Sequence, residues 1–222
     1  MRKRQKGFTL IEIAIVLVII GLLLGGVLKG QELITGARVR NFIQQQDGIK
    51  AAYFGFLDRY RALPGDYKEA LANIPNIAST CTTAANGNGN GNGDGQIIGG
   101  AQPHENLLVW EHLSKSGFIN GSYTCDTTQS SATSPSNPYG SPLVLQYDAL
   151  FYQGTATASR HNLKTGAQVP SDILAEIDRK VDDGNPAQGS FRAPAPLVAI
   201  CASATAWVTN PPGADCLATT LF

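Results

Sequence analysis

The chain has 222 residues, enough for one domain of ordinary size plus an appendage, and 17 basic residues balance 17 acidic ones. Arg2, Lys3, Arg4 and Lys6 crowd into the first six positions, so the remainder carries 13 basic against 17 acidic residues, a formal charge of −4. That balance argues against general nucleic-acid binding, which needs a basic face to displace counterions from phosphates.

The first element is a membrane helix. Phe8 to Leu28, FTLIEIAIVLVIIGLLLGGVL, carries one charge, Glu12. At about 1.5 Å per residue it can cross roughly 30 Å of hydrocarbon. The basic cluster before it places the N-terminus in the cytoplasm and the bulk of the chain outside. An ordinary secretory signal has an apolar stretch of about 7 to 15 residues ending at a small-residue cleavage site, and this run is too long.

The heptapeptide GFTLIEI, Gly7 to Ile13, resembles the class III signal of type IV prepilins and type II secretion pseudopilins. The resemblance implies cleavage between Gly7 and Phe8 by a prepilin peptidase, which also methylates the new amino group of Phe8. It implies a single pass through the bacterial inner membrane with a periplasmic head. The subunit then joins other pilin or pseudopilin subunits in a helical filament, at the cell surface or in the periplasm. Glu12 needs compensation, since a carboxylate within a membrane helix costs on the order of 2.5 to 3.5 kcal/mol. The resemblance implies that Glu12 faces the amine of Phe8 on a neighbouring subunit. The plain alternative is a carboxylate that snorkels to the headgroups or stays protonated.

Beyond the membrane run, Val39, Phe42, Ile49, Tyr53, Phe56, Tyr60 and Leu63 recur at helical spacing as one apolar stripe, and Pro64-Gly65 stops the helix. The chain thus divides into a leader at 1–7, an assembly helix at 8–28, an amphipathic continuation at 29–63 and a head at 64–222. Gly25, Gly26, Gly30 and Gly36 weaken the helix where its halves meet, each by about 1 kcal/mol relative to Ala. Many pilins carry a helix-breaking proline near the position of Lys29. Its absence here, with the large head, implies a minor pilin or pseudopilin instead of a major subunit.

The head reads as α+β: the long helix packed on an antiparallel sheet, in the pilin manner. The sequence predicts a short helix at Tyr67 to Asn73, a Gly/Asn tract, an amphipathic helix near Glu105 to Ser116 and a Ser/Thr/Pro-rich loop from Thr127 to Ser141. Strands are expected at Leu143 to Tyr147, Leu150 to Tyr152 and Leu197 to Cys201. Between the last two, Ser171 is expected to cap a helix running to about Val181, with Gly184 as its stop. LPGDY at Leu63 to Tyr67, the NGNGDG tract, EHLSKSGFING at Glu111 to Gly121 and IDRKVDDG at Ile177 to Gly184 resemble a recurring type of large-headed bacterial prepilin.

Cys81, Cys125, Cys201 and Cys216 all follow the apolar run, and their even number reads as two disulfides in an oxidising compartment. Three connectivities are open. Short loops favour Cys81 with Cys125 and Cys201 with Cys216, and many pilins close a C-terminal loop in the second way. No cofactor is demanded, and calcium is the one candidate. Asn90, Asn92 and Asp94 before Gly95 match the opening of an EF-type loop, but the first ligand is Asn and the twelfth position is Ala101, with Glu105 the nearest acid. Those departures favour a polar loop. Asp182 and Asp183 read as solvated turn residues, and Trp110 and Trp207 as core. His104, His112 and His161 form no HExxH motif, and no GxSxG occurs.

The leading reading is a non-enzymatic filament subunit in which Gly7, Phe8 and Glu12 carry maturation and assembly. The rival is a surface adhesin or ligand-binding module on the same anchor. An exposed aromatic patch on the head would favour the rival. A membrane-tethered enzyme would need a pocket of converging titratable groups.

Overall fold

The computed structural model describes residues 9–78, 89–99, 104–126, 128–154 and 158–222. Gly7, Phe8, Cys81 and Ala101 lie outside the described residues. The chain divides into two units, residues 1–40 and 41–222.

The first unit is helical from Leu10 onward, as part of α1 (Leu10–Tyr60), and passes through Gly25, Gly26, Gly30 and Gly36 without a break. Its large apolar side chains are exposed from Leu10 to Ile34. In water that face would be strongly unfavourable; in hydrocarbon it is the required surface, because a helix satisfies its backbone internally. Lys29 and Glu32 pair at 2.7 Å on the exposed surface just past the apolar run.

In the second unit, Phe42, Ile49, Tyr53 and Phe56 of α1 are buried, so the stripe faces a core. The helix stops at Tyr60, three residues before the expected Leu63. Arg61 takes the left-handed conformation, φ 53°, which ends the α-helical hydrogen-bond ladder before Pro64 can. Among the described residues four strands follow, β1 (Val144–Asp148), β2 (Arg160–Lys164), β3 (Phe191–Arg192) and β4 (Thr219–Leu221), and form an antiparallel sheet in the order β1-β2-β4-β3. The helices of the head are α2 (Ala70–Asn73), α3 (Glu105–Lys115) and α4 (Ser171–Val181). This is the long helix and antiparallel sheet of a pilin-like α+β fold.

The core is shared between α1, α3 and the sheet. Ile49, Tyr53 and Phe56 pack with Val109, Trp110 and Leu113 of α3, with Leu145 and Leu163, and with Leu143 just before β1. Burying each such side chain is worth about 1.5 to 3 kcal/mol against leaving it in water. Tyr53 stacks on Phe222 at 4.9 Å, and the Thr220 hydroxyl donates to the Gln46 amide oxygen, fixing β4 under α1.

Several expected elements move. The helix at Tyr67 to Asn73 is only the single turn α2. Strand β1 starts one residue late, and Leu150 to Tyr152 is reduced to an isolated bridge between Phe151 and Pro194. Leu197 to Cys201 is a turn, with Cys201 N–H bonded back to the Val198 carbonyl. Ser171 does not cap α4 from outside: Pro170 holds the cap position, while the Ser171 hydroxyl donates to the Val208 carbonyl and accepts from Gly213 N–H at 2.7 Å. It ties the helix start to the C-terminal segment.

Candidate functional site

The first candidate site begins at Thr9. Its hydroxyl and N–H both donate to one Glu12 carboxylate oxygen, at 2.8 and 2.7 Å, and Glu12 N–H donates back to the Thr9 hydroxyl at 3.3 Å. This is a capping box, in which a Thr and a Glu three residues on satisfy donors that the first turn leaves free. Glu12 therefore has a partner within its own chain, and the positive end of the helix dipole stabilises its charge. The sequence shows this pattern as T-x-x-E, a signal hidden behind the stronger reading of Glu12 as an assembly residue.

The second lies in the head, where the Gly/Asn tract is gathered by buried acids. Asp66 accepts N–H groups from Gly93, Asp94 and Gly95, the last at 2.8 Å. Glu105 accepts from Asn92 and Ile98, both at 3.1 Å. Burial raises the Asp66 carboxyl and pushes Glu105 up to about 7, with the bonded N–H groups opposing it. One oxygen each from Asp66, Asp94 and Glu105 lies within 4.8 Å of the others. Asp94 comes from the opening of the expected loop and Glu105 is the acid nearest its end, so two acids named from the sequence belong to this group. The Asn90 oxygen takes Leu71 N–H at 2.8 Å and the Asn92 oxygen takes Asp94 N–H at 2.8 Å. A cation here would compete with five backbone donors for Asp66 and Glu105. Asp66 was missed as a site residue; its signal was an acid directly after the helix stop in LPGD.

His112 holds the same region from the other side. Its Nδ1 accepts Gly65 N–H at 2.9 Å and its Nε2 donates to the Gly89 carbonyl at 2.8 Å, a pairing that requires the neutral ring. Burial pushes it down to about 4. His161 lies between Tyr53 and Tyr147, with ring centres at 6.2 and 4.9 Å, and His104 precedes α3. Among the described residues, none of the three is hydrogen-bonded to a nucleophile in the manner of a catalytic dyad.

At the C-terminal end, Cys201 and Cys216 are joined by a disulfide. Cys125 packs beside Leu108 and is also disulfide-bonded. Trp110 and Trp207 are buried; Trp207 Nε1–H donates to Asp178 at 2.7 Å. Asp182 receives Ser190 and Phe191 N–H groups and so fastens the turn after α4 instead of standing in solvent, whereas Asp183 is exposed and takes Asn185 N–H.

Residues 2–28 match the family profile described as the prokaryotic N-terminal methylation motif. It is the class III signal of type IV prepilins, and the matched span includes Gly7, Phe8 and Glu12. No curated protein and no solved structure matches the chain.

Proposed function

We propose that this prepilin-type chain is a structural, non-enzymatic subunit, a minor pilin or pseudopilin, of a type IV pilus or type II secretion pseudopilus. The observation that carries the proposal is the methylation motif over residues 2–28 set directly on a helix whose apolar side chains are exposed from Leu10 to Ile34. Gly7 and Phe8 mark the cleavage and methylation point for a prepilin peptidase. The basic leader keeps the N-terminus in the cytoplasm and sends the head to the periplasm. In the assembled filament, Glu12 exchanges its Thr9 donors for the Phe8 amine of a neighbour.

Two measurements test this. Intact mass of the membrane-extracted protein should show loss of residues 1–7 and one added methyl group; a different mature N-terminus rejects the proposal. Glu12→Ala should be processed normally yet be depleted from sheared filaments, and normal incorporation would remove Glu12 from the assembly contact.

A further inference from the structure

An Asn–Gly step is a place where a chain can modify itself, because glycine lacks the Cβ that would keep its nitrogen away from the side chain before it. A base takes the glycine N–H proton, and the nitrogen attacks Cγ of the asparagine. The N–Cγ bond forms, the Cγ–Nδ2 bond breaks and the side-chain nitrogen leaves as ammonia. Water then opens the succinimide ring at either carbonyl and leaves aspartate or isoaspartate. The reaction needs two freedoms: an unheld glycine N–H and an asparagine side chain able to swing onto it.

The Gly/Asn tract denies both. Gly93 N–H and Gly95 N–H donate to the two oxygens of Asp66, and Gly91 N–H donates to the Tyr67 carbonyl at 3.0 Å. A nitrogen whose proton rests on a carboxylate resists losing it, since the anion formed would face a second negative charge. The side chains are tied as well. The Asn90 oxygen takes Leu71 N–H, while the Asn92 oxygen takes Asp94 N–H and its amide donates to the Asp94 carboxylate at 3.1 Å. The glycines are themselves demanded by the turn: a Cβ at Gly91 would overlap the Asp66 backbone, and Gly93 takes φ +77°. An aspartate at position 92 would add a fourth acid beside Asp66, Asp94 and Glu105, whose oxygens already lie within 4.8 Å of one another.

Asn120–Gly121, which follows α3 in the stretch SGFING, is built differently. Both residues are exposed, and among the described residues Gly121 N–H meets no acceptor.

We infer that Asn120 is a site of spontaneous deamidation in this chain, and that Asp66 with the Tyr67 carbonyl forms a clamp that protects Asn90 and Asn92 from the same reaction. Ageing of the protein then places a new carboxylate at position 120 and leaves the acid-gathered tract unchanged. The inference goes beyond the filament-subunit reading and stands whether or not the chain assembles.

The test incubates the processed full chain in detergent at mildly alkaline pH and follows each asparagine by peptide mapping with fragment-level mass assignment. The same chain unfolded in urea gives the unprotected rate at every step. Native Asn120 should react at a rate close to its urea value. Native Asn90 and Asn92 should be slower than theirs by roughly tenfold or more, because they react only through local opening. Asp66→Ala should speed Asn92 several-fold while Asn90, held by a backbone carbonyl, stays slow. Asp66→Asn keeps the shape with an uncharged acceptor and gives the same comparison with less disturbance of the fold. Glu105→Gln loosens the tract at Asn92 and Ile98 N–H without touching the Gly93 N–H, and should leave Asn92 slow. Native Asn120 as slow as Asn92 overturns the modification site. Equal acceleration of Asn90 and Asn92 in both Asp66 variants, or acceleration of Asn92 in Glu105→Gln to the level of those variants, overturns the clamp.

Discussion

Replacing His112 by Asn separates two titrations that oppose each other in the head. The neutral imidazole joins Gly65 to Gly89 across the start of the head. Its value lies near 4 in the fold against an ordinary 6.5. A base depressed by burial stabilises the fold fully above its unfolded value and loses that contribution as pH falls toward its folded value. At ~1.4 kcal/mol per pH unit, His112 costs the fold about 2 kcal/mol by pH 5 and about 3 kcal/mol by pH 4. Glu105 runs the other way. Its raised carboxyl gains stability as pH falls from about 7 toward its ordinary 4.5. Between pH 7 and 5 these two contributions largely offset each other, while the His112→Asn protein, which keeps an acceptor for Gly65 but loses the Gly89 contact, retains the Glu105 gain without the His112 loss and so becomes more stable relative to the wild type over the same interval. At pH 7 the variant should be weaker by about 1 to 3 kcal/mol, and the gap should narrow by about 2 kcal/mol at pH 5. Urea unfolding of the processed chain in detergent, followed through buried Trp110 and Trp207, measures this. Parallel pH curves for the two proteins would refute the assignment of His112 as a buried neutral bridge.

Gly65 sits at φ +89°, and a Cβ there would lie 2.5 Å from the Glu105 carbonyl oxygen, so Gly65→Ala should cost more than about 1 kcal/mol. Thermal unfolding reads it, and an unchanged Tm would show that the turn can relax. Opening the Cys201–Cys216 bridge by a double Ser substitution should destabilise the fold by roughly 3 kcal/mol, measured by denaturant unfolding, while non-reducing peptide mapping of the wild type recovers both cysteines in one fragment. Millimolar calcium should leave Tm unchanged, because Asp66 and Glu105 already hold five backbone donors; a rise of several degrees would show that the ion displaces them.

The sequence reads most clearly where the solvent imposes a single rule. A membrane helix must be apolar all round, and the leader charges and Glu12 stand out against that background. The α4 helix was legible for a related reason, since its buried residues recur at helical spacing, whereas α3 is buried without a break from Leu107 to Leu113. Strand β2 was not. RHNLK contains one large apolar residue, Leu163, and its Asn162 is buried through bonds from its side-chain amide to Asp148 and the Arg160 carbonyl. Pairing with β1 and β4 makes it a strand, a tertiary cause that local propensity does not record. Conversely, Leu150 to Tyr152 and Leu197 to Cys201 look like strands but find no ladder. The Gly/Asn tract reads as a loop because its order comes from Asp66 and Glu105, one before it and one after it in sequence.

The capping box bears on how Glu12 can serve assembly. An unpaired carboxylate entering the bilayer would oppose membrane insertion, yet Glu12 carries two donors from Thr9 and sits in the first turn of α1. These contacts lower the cost of holding the charge before a partner arrives, and they set a threshold that the partner must exceed. A neutral donor at the neighbour would only exchange one bond to the carboxylate for another, whereas an ammonium group adds the attraction of a full positive charge. Thr9→Ala removes the side-chain half of the competition: it should weaken the first turn by about 1 kcal/mol while leaving Glu12 free to pair. Its filament fraction should therefore stay near wild type where that of Glu12→Ala falls, as judged by shearing cells that express each variant at equal membrane levels. Equal depletion in both variants would mean that the cap itself, and not the free carboxylate, is what assembly requires.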